Sequence, residues 1–219
     1  MTHTMRRPAV LSIVTVFAGL CGAVSGGGCS SSTQGEKMVQ SFSKTRQTLA
    51  DARSEVAITL IAMNRMRDVN GDDALKRAFT QYKESVARLE KQAGEAKERA
   101  TAMKQETDEH VKKWQKEMAS IKDPEIKASL DDRRRAVQSN FAVARMYADD
   151  IRNAYEPFLR GNKDLLQALS IDLSPAAIAG LSPSMDRLDA DGRKLQERIG
   201  AMQQALNNMA TGEAPLGAM

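Results

Sequence analysis

From residue 38 onward, apolar side chains recur at alternating steps of three and four, which lines them along one seam of a helix packed on other helices. The first run is Met38, Phe42, Thr45, Leu49, Ala52, Val56, Thr59, Met63 and Met66. Thr33 and Glu36 have capping-box spacing at its start, and the polar stretch 68–73 with Gly71 reads as a turn at its end. A second run starts at Leu75, passes through Phe79, Tyr82, Leu89, Met103 and Trp114, and closes at Met118 and Ile121. Asp123 can cap the next helix and Pro124 can occupy its first turn. The third run extends from Ile126 to Leu169, with Arg134 and Asn162 as polar intruders and Pro157 predicting a kink. Ser174-Pro175 to Gly180 predicts one short helical turn. Ser182-Pro183 then predicts the start of a last helix, through Met185, Leu188, Gly192, Leu195, Ile199 and Met209.

The turns are short, so consecutive helices should be antiparallel neighbours whose seams pair outward from each turn. That register sets Met63 against Phe79, Met118 against Leu130 and Ala93 against Tyr155. It also brings Met38, Met103, Ala144 and Met209 to one level. The expected fold is all-α: an antiparallel four-helix bundle (38–66, 75–103, 144–169 and 185–209) with a projecting two-helix coiled-coil hairpin, residues 104–143. The hairpin should reach about 28 Å beyond the bundle at ~1.5 Å per residue. Within it Trp114 faces Arg134, and a guanidinium stacked on the indole is the expected contact.

Composition agrees with long helices. Aromatics are 4% of the chain, far below what a sheet protein would use. Of the 32 Lys and Arg, Arg6 and Arg7 lie in the leader, which leaves 30 cations against 28 anions over the rest. A balanced surface of this kind gives no electrostatic case for nucleic acid.

The first 28 residues have the three parts of a secretory signal: Arg6-Arg7, an apolar run from Ala9 to Val24, and small residues before Cys29. Gly26-Gly27-Gly28-Cys29 followed by three serines resembles a bacterial lipobox, with Gly26 where leucine is usual; Cys21, directly after Leu20, fits less well. The reading is therefore signal peptide 1–28, lipidated Cys29 and tether 29–35, helical bundle 36–209 and a disordered tail 210–219. Three alternatives stay open: an uncleaved apolar segment slightly short of a membrane span, cleavage that leaves Cys29 a free thiol, and a twin-arginine signal. One cysteine in the leader and one at the anchor leave none for a disulfide. Ser30 after the cysteine suggests the outer membrane, if the cell has one.

Candidate chemistry is sparse. His110 is the single histidine after the leader, and with Glu106 four residues before it falls short of a metal site. Asp68, Asn70 and Asp72 have calcium-loop spacing, but Asp73 and Phe79 stand where the loop's glycine and bidentate glutamate belong. Arg133-Arg134-Arg135, with Lys112, Lys113 and Lys116, is either a headgroup contact or a solvated face, since Asp131, Asp132, Glu109 and Glu117 are interspersed. Most of the 12 methionines fall on seams, as core residues do. No serine or cysteine has a histidine partner for a triad. No catalytic, metal or cofactor-binding residue is expected, and the chain is not expected to be an enzyme.

The stretch Phe42–Ala52 with its Thr-Arg and Asp-Ala-Arg runs, Trp114-Gln-Lys-Glu117, Tyr155-Glu-Pro157-Phe-Leu159 with Asp164-Leu165, and Leu169-Ser-Ile-Asp-Leu173 resemble a bacterial family of predicted envelope proteins, domain of unknown function 2959. The resemblance covers nearly all of the chain after the leader. It implies a secreted or lipid-anchored helical protein and supplies no functional residues. The expected function is a membrane-tethered, non-enzymatic helical scaffold of the bacterial envelope, with an envelope protein partner. The alternative is a periplasmic chaperone-like module whose hairpin grips clients.

Overall fold

The computed structural model describes residues 30–211, with side chains over residues 40–209. Four helices follow one another: α1 (Ser30–Asp68), α2 (Asp72–Met118), α3 (Pro124–Ile171) and α4 (Pro175–Thr211), with no strand among the described residues. α1 packs on α2 and α4, and α3 packs on the same two helices. The result is the expected antiparallel bundle, its helices arranged as a ring in chain order.

Each helix starts where local chemistry allows. Gly71, at φ 90°, makes the left-handed turn between α1 and α2, and Asp72 and Asp73 place negative charge at the positive end of α2. The Asp123 carboxylate accepts from the backbone N–H groups of Glu125 (2.9 Å) and Ile126 (3.0 Å), capping α3 with Pro124 in its first turn. Ser174 caps α4, accepting from the N–H of Ala177 at 3.2 Å.

Two boundaries differ from the sequence pattern. α4 is one helix from Pro175 to Thr211, so the separate turn expected at 174–180 and the fresh start expected at Ser182-Pro183 are corrected. Pro183 lies inside the helix and leaves the Ala179 carbonyl without its usual donor. Tertiary packing overrides that local cost. Ile178 is buried in the core and Leu181 packs on it, while Arg67 donates to the Ser182 carbonyl at 2.7 Å. α1 in turn starts at Ser30, so Thr33 and Glu36 lie within the helix and not at its cap. The polar stretch before Met38 contains no proline, and nothing in it interrupts the helical ladder.

Interhelical bonds fix the register. Glu55 pairs with Arg88 (3.1 Å), Asn64 donates to Asp189 (3.0 Å), and Arg198 pairs with Asp150 (2.8 Å). The Tyr155 hydroxyl donates to the Leu89 carbonyl at 2.9 Å, one turn from the expected Ala93 level. The core runs the length of the four-helix part, from Phe42, Met103 and Phe141 at one end to Met66, Leu75, Leu169 and Ile178 at the other. Two glycines let α4 approach its neighbours. A Cβ on Gly192 would lie 2.9 Å from Leu60 and from Phe158, and one on Gly161 would lie 2.7 Å from Leu188.

Candidate functional site

The four-helix core ends at a ring of specific contacts, and the α2–α3 hairpin continues past it. Phe42 and Phe141 meet across the bundle with ring centroids 5.4 Å apart, tilted by 34°. Beside them Arg99 is a clasp between α1 and α2. Its guanidinium donates to Thr45 Oγ1 at 3.0 Å, to the Ser41 hydroxyl, and to Glu106 Oε2 at 2.7 Å. Ser41 Oγ also donates to Glu106, and Thr45 Oγ1 donates back to the Ser41 carbonyl at 2.8 Å. The Arg99 hydrogen bond is the first cause that holds the Glu106 carboxyl below the ordinary glutamate value; the Ser41 hydroxyl and the Arg99 charge add to it, against some desolvation.

Past this ring α4 ends, and α1 alone continues beside the hairpin, as far as Ser30. Val111, Trp114, Ile121, Leu130 and Val137 are half-buried, Met118 is buried, and Ile126 is 54% exposed. Without α4 the remaining helices leave the seam open on one side, so apolar surface stays accessible along the hairpin. Charges flank it. Arg134 and Arg135 are held by Asp131 and Asp132 of the same helix, at 2.6–3.4 Å, and Lys113 faces Glu117 at 3.7 Å.

The expected stacking of Arg134 on Trp114 is not formed. Arg134 directs Nε and Nη2 to Asp131 Oδ1 at 3.0 and 2.7 Å and Nη1 to Gln138 at 2.9 Å, all on its own helix. Charge-assisted hydrogen bonds to a carboxylate one turn away outcompete an exposed cation–π contact. Trp114 packs instead against His110, one turn earlier on α2, with ring centroids 5.5 Å apart and edge to face. Desolvation there pushes the His110 pKa down, helped by the Lys113 charge and opposed by Glu117. Glu106 is committed to Arg99 and Ser41, so it does not partner His110.

The other residues singled out by the sequence stand apart from one another. Asp68 ends α1, and Asp72 opens α2 across the Gly71 turn. Cys29 lies outside the described residues. Among the described residues no three His, Cys, Asp or Glu side chains come together as a metal site would need. No described helix is long and apolar enough to cross a membrane. A shallow, open depression on the outer face of α3, lined by Arg145, Met146, Asp149 and Asp150 among others, draws on that one helix and gathers no opposing groups.

Sequence reasoning missed the Arg99 clasp, because its arginine and Ser41 fall off the apolar seams. The signal that could have found it is the hydroxyl-bearing positions Ser41 and Thr45 on α1, at the level where α2 supplies Arg99 and Glu106.

No curated protein and no solved structure matches this chain. Residues 31–211, which span all but the first residue of the four helices, match the family described as "Protein of unknown function (DUF2959)". By that match the chain belongs to the DUF2959 family.

Proposed function

We propose that the chain is a non-enzymatic helical scaffold of the bacterial envelope, tethered to the periplasmic face of a membrane through an acylated Cys29. The observation that carries this reading is the shape of the bundle. α2 and α3 are 47 and 48 residues long. At ~1.5 Å per residue each spans about 70 Å, a length suited to spacing or docking components, not to enclosing a substrate. Several buried polar groups hold helices together: Tyr82 donates to Asn162, Tyr155 to the Leu89 carbonyl and Arg99 to Thr45. The reading includes an envelope protein as partner and neither a cofactor nor nucleic acid; the outer membrane is favoured where the cell has one.

The test is fractionation of cells that produce the full chain or its Cys29→Ser variant, with mass spectrometry of the mature N-terminus. Diacylglyceryl on Cys29 and loss of membrane association in the variant support the tether. A cleaved chain that stays on the membrane without acylation overturns it.

The half-buried Val111 and Trp114 and the exposed Ile126 favour a second reading, a chaperone-like clamp. Under that reading the chain suppresses aggregation of a denatured client at equimolar ratio, and Val111→Glu with Ile126→Glu abolishes the effect. Undiminished suppression by that double variant overturns the clamp.

A further inference from the structure

We infer that the tip of the α2–α3 hairpin, around Ile126 and its neighbouring lysines, faces and contacts an anionic phospholipid surface. The membrane in question is the one that carries the anchor, so the inference rests on the proposed acylation of Cys29.

Helix continuity and register carry the geometry. Ser41 of α1 is bonded to Glu106 of α2, which sets those two residues at one level. From Ser41, α1 continues without interruption back to Ser30, whose preceding residue in the sequence is Cys29. Eleven residues of helix advance about 17 Å at ~1.5 Å each. α2 runs antiparallel to α1, so the same advance from Glu106 arrives at Glu117, beside the end of α2 at Met118. The start of α1 and the turn of the hairpin therefore lie at the same end of the molecule. An anchor on Cys29, with no spacer between it and the helix, brings that end to the bilayer and holds the Gly71 turn at the far end away from it.

The chemistry of the tip fits that position. Residues 112–127 hold five lysines against three acidic residues. Two of the three acids are engaged: Glu117 pairs with Lys113, and Asp123 caps α3 through the N–H groups of Glu125 and Ile126. Lys112, Lys116, Lys122 and Lys127 make no ion pair among the described residues; the Lys127 charge bears on Asp131, and the other three cations stand uncompensated beside one carboxylate without an ion pair, Glu125. Between them Ile126 is 54% exposed next to exposed Pro124, with Ile121 half-buried. Apolar side chains at an apex rimmed by lysines match the boundary between headgroups and acyl chains, where the first can enter and the second can pair with lipid phosphates. Each lysine near an anionic surface strengthens binding by about fivefold.

The experiment has two arms. In the first, the acylated chain with Ile126→Cys or Asn70→Cys, labelled with an environment-sensitive fluorophore, is reconstituted in phosphatidylglycerol-containing vesicles that carry a headgroup quencher. Strong quenching at position 126 and little at position 70 is expected; equal quenching, or the reverse, overturns the inference while leaving the anchor reading intact. In the second, the unacylated full-length Cys29→Ser chain is added to phosphatidylglycerol vesicles and to phosphatidylcholine vesicles. A preference of at least about tenfold for the anionic surface is expected, reduced about tenfold or more by Lys116→Glu with Lys122→Glu. Binding indifferent to lipid charge and to those substitutions overturns the contact. Absence of acyl groups on Cys29 with tip-dependent vesicle binding retained would remove the anchor alone.

Discussion

The Tyr82 hydroxyl donates to Asn162 Oδ1 at 2.9 Å between two side chains that have no solvent exposure, one on α2 and one on α3. The bond lies mid-core, one turn after Pro157. Asn162 Nδ2 donates to the Phe158 carbonyl at 2.8 Å, and the Tyr82 hydroxyl also lies 3.1 Å from the Asn162 carbonyl. Burial drives the Tyr82 pKa well above its ordinary value, so the hydroxyl keeps its proton and remains a donor. An amide whose oxygen and nitrogen are both partnered inside an otherwise apolar seam makes one register favourable and its neighbours costly, because a slip of one turn would bury the amide without the Tyr82 donor.

Tyr82→Phe should therefore destabilise the fold by about 1–3 kcal/mol, since Asn162 Oδ1 keeps its burial and loses its donor. Tyr82→Phe combined with Asn162→Leu should recover most of that loss, because both polar groups leave together. Urea denaturation of the two singles and the double gives the coupling energy. Simple additivity would show that the pair does not act as a unit.

Gly192 and Gly94 make a contrast in sign. Both are helical, and alanine is worth up to ~1 kcal/mol more than glycine in a helix interior. A Cβ added at Gly94 would meet nothing within 4 Å, so Gly94→Ala should raise stability by about 0.5–1 kcal/mol. At Gly192 the new methyl would meet Leu60 and Phe158 at 2.9 Å, and Phe158 is only 1% exposed. Overpacking of that kind costs about 1–3 kcal/mol and outweighs the propensity gain. Thermal melts should move in opposite directions, and a stabilised Gly192→Ala would contradict the packing described.

The Arg99 clasp predicts a response to acid. The folded-state pKa of Glu106 lies below its ordinary value of 4.5, so its contribution is fully present above about pH 4.5 and is lost as pH falls through the lower folded value. The side chain is 48% exposed, which screens the effect and keeps it small. Hydrogen exchange should report it locally. As pH falls below about 4.5, amides around Ser41–Thr45 should lose more protection than those around Val56–Met63, after correction for intrinsic rates. In Glu106→Gln the difference should vanish. Uniform loss along α1 would mean that the clasp does not hold that end.

Much of this fold was legible because seam residues carry it. Val56, Met63, Leu89, Leu169, Leu195 and Ile199 all lie on the expected seams and have no exposure. Asn162 stood out as a polar intruder, but its partner did not, since Tyr82 reads as one more large seam residue until its hydroxyl is seen opposite the amide in space. Pro183 misled for a different reason. Ser-Pro is a start signal locally, and only the burial of Ile178 below it and the grip of Arg67 on Ser182 keep the helix running through. Arg134 misled because its nearest acceptor was on its own helix: register arguments find partners across a seam and overlook a carboxylate one turn away. Of the candidate site, the hairpin and its charged flanks could be read from periodicity. The Arg99 clasp and the extension of α1 to Ser30 could not, because polar stretches leave no seam to follow.

Thr59 is a buried hydroxyl with no use, and removing it should help. Its side chain is on the α1 seam with no exposure, and Oγ1 has no hydrogen-bond partner. Burying a hydroxyl without a partner costs about 1–3 kcal/mol by mutational measure. Valine has nearly the same shape, replaces the hydroxyl by a methyl, and keeps the β-branched χ1 preference of the site. Thr59→Val should stabilise the fold by about 1–2 kcal/mol, which for a chain of this size raises Tm by roughly 2–8 °C. Thr45 is the control, four turns away on the same seam. Its Oγ1 donates to the Ser41 carbonyl at 2.8 Å and accepts from Arg99 at 3.0 Å, so Thr45→Val should lower Tm by removing a used hydroxyl from beside a charged donor. Calorimetry of the two variants side by side separates the cases. A Thr59→Val protein no more stable than the parent would mean that the hydroxyl finds a partner in solution, and the same result at both positions would mean that burial, not bonding, sets the cost.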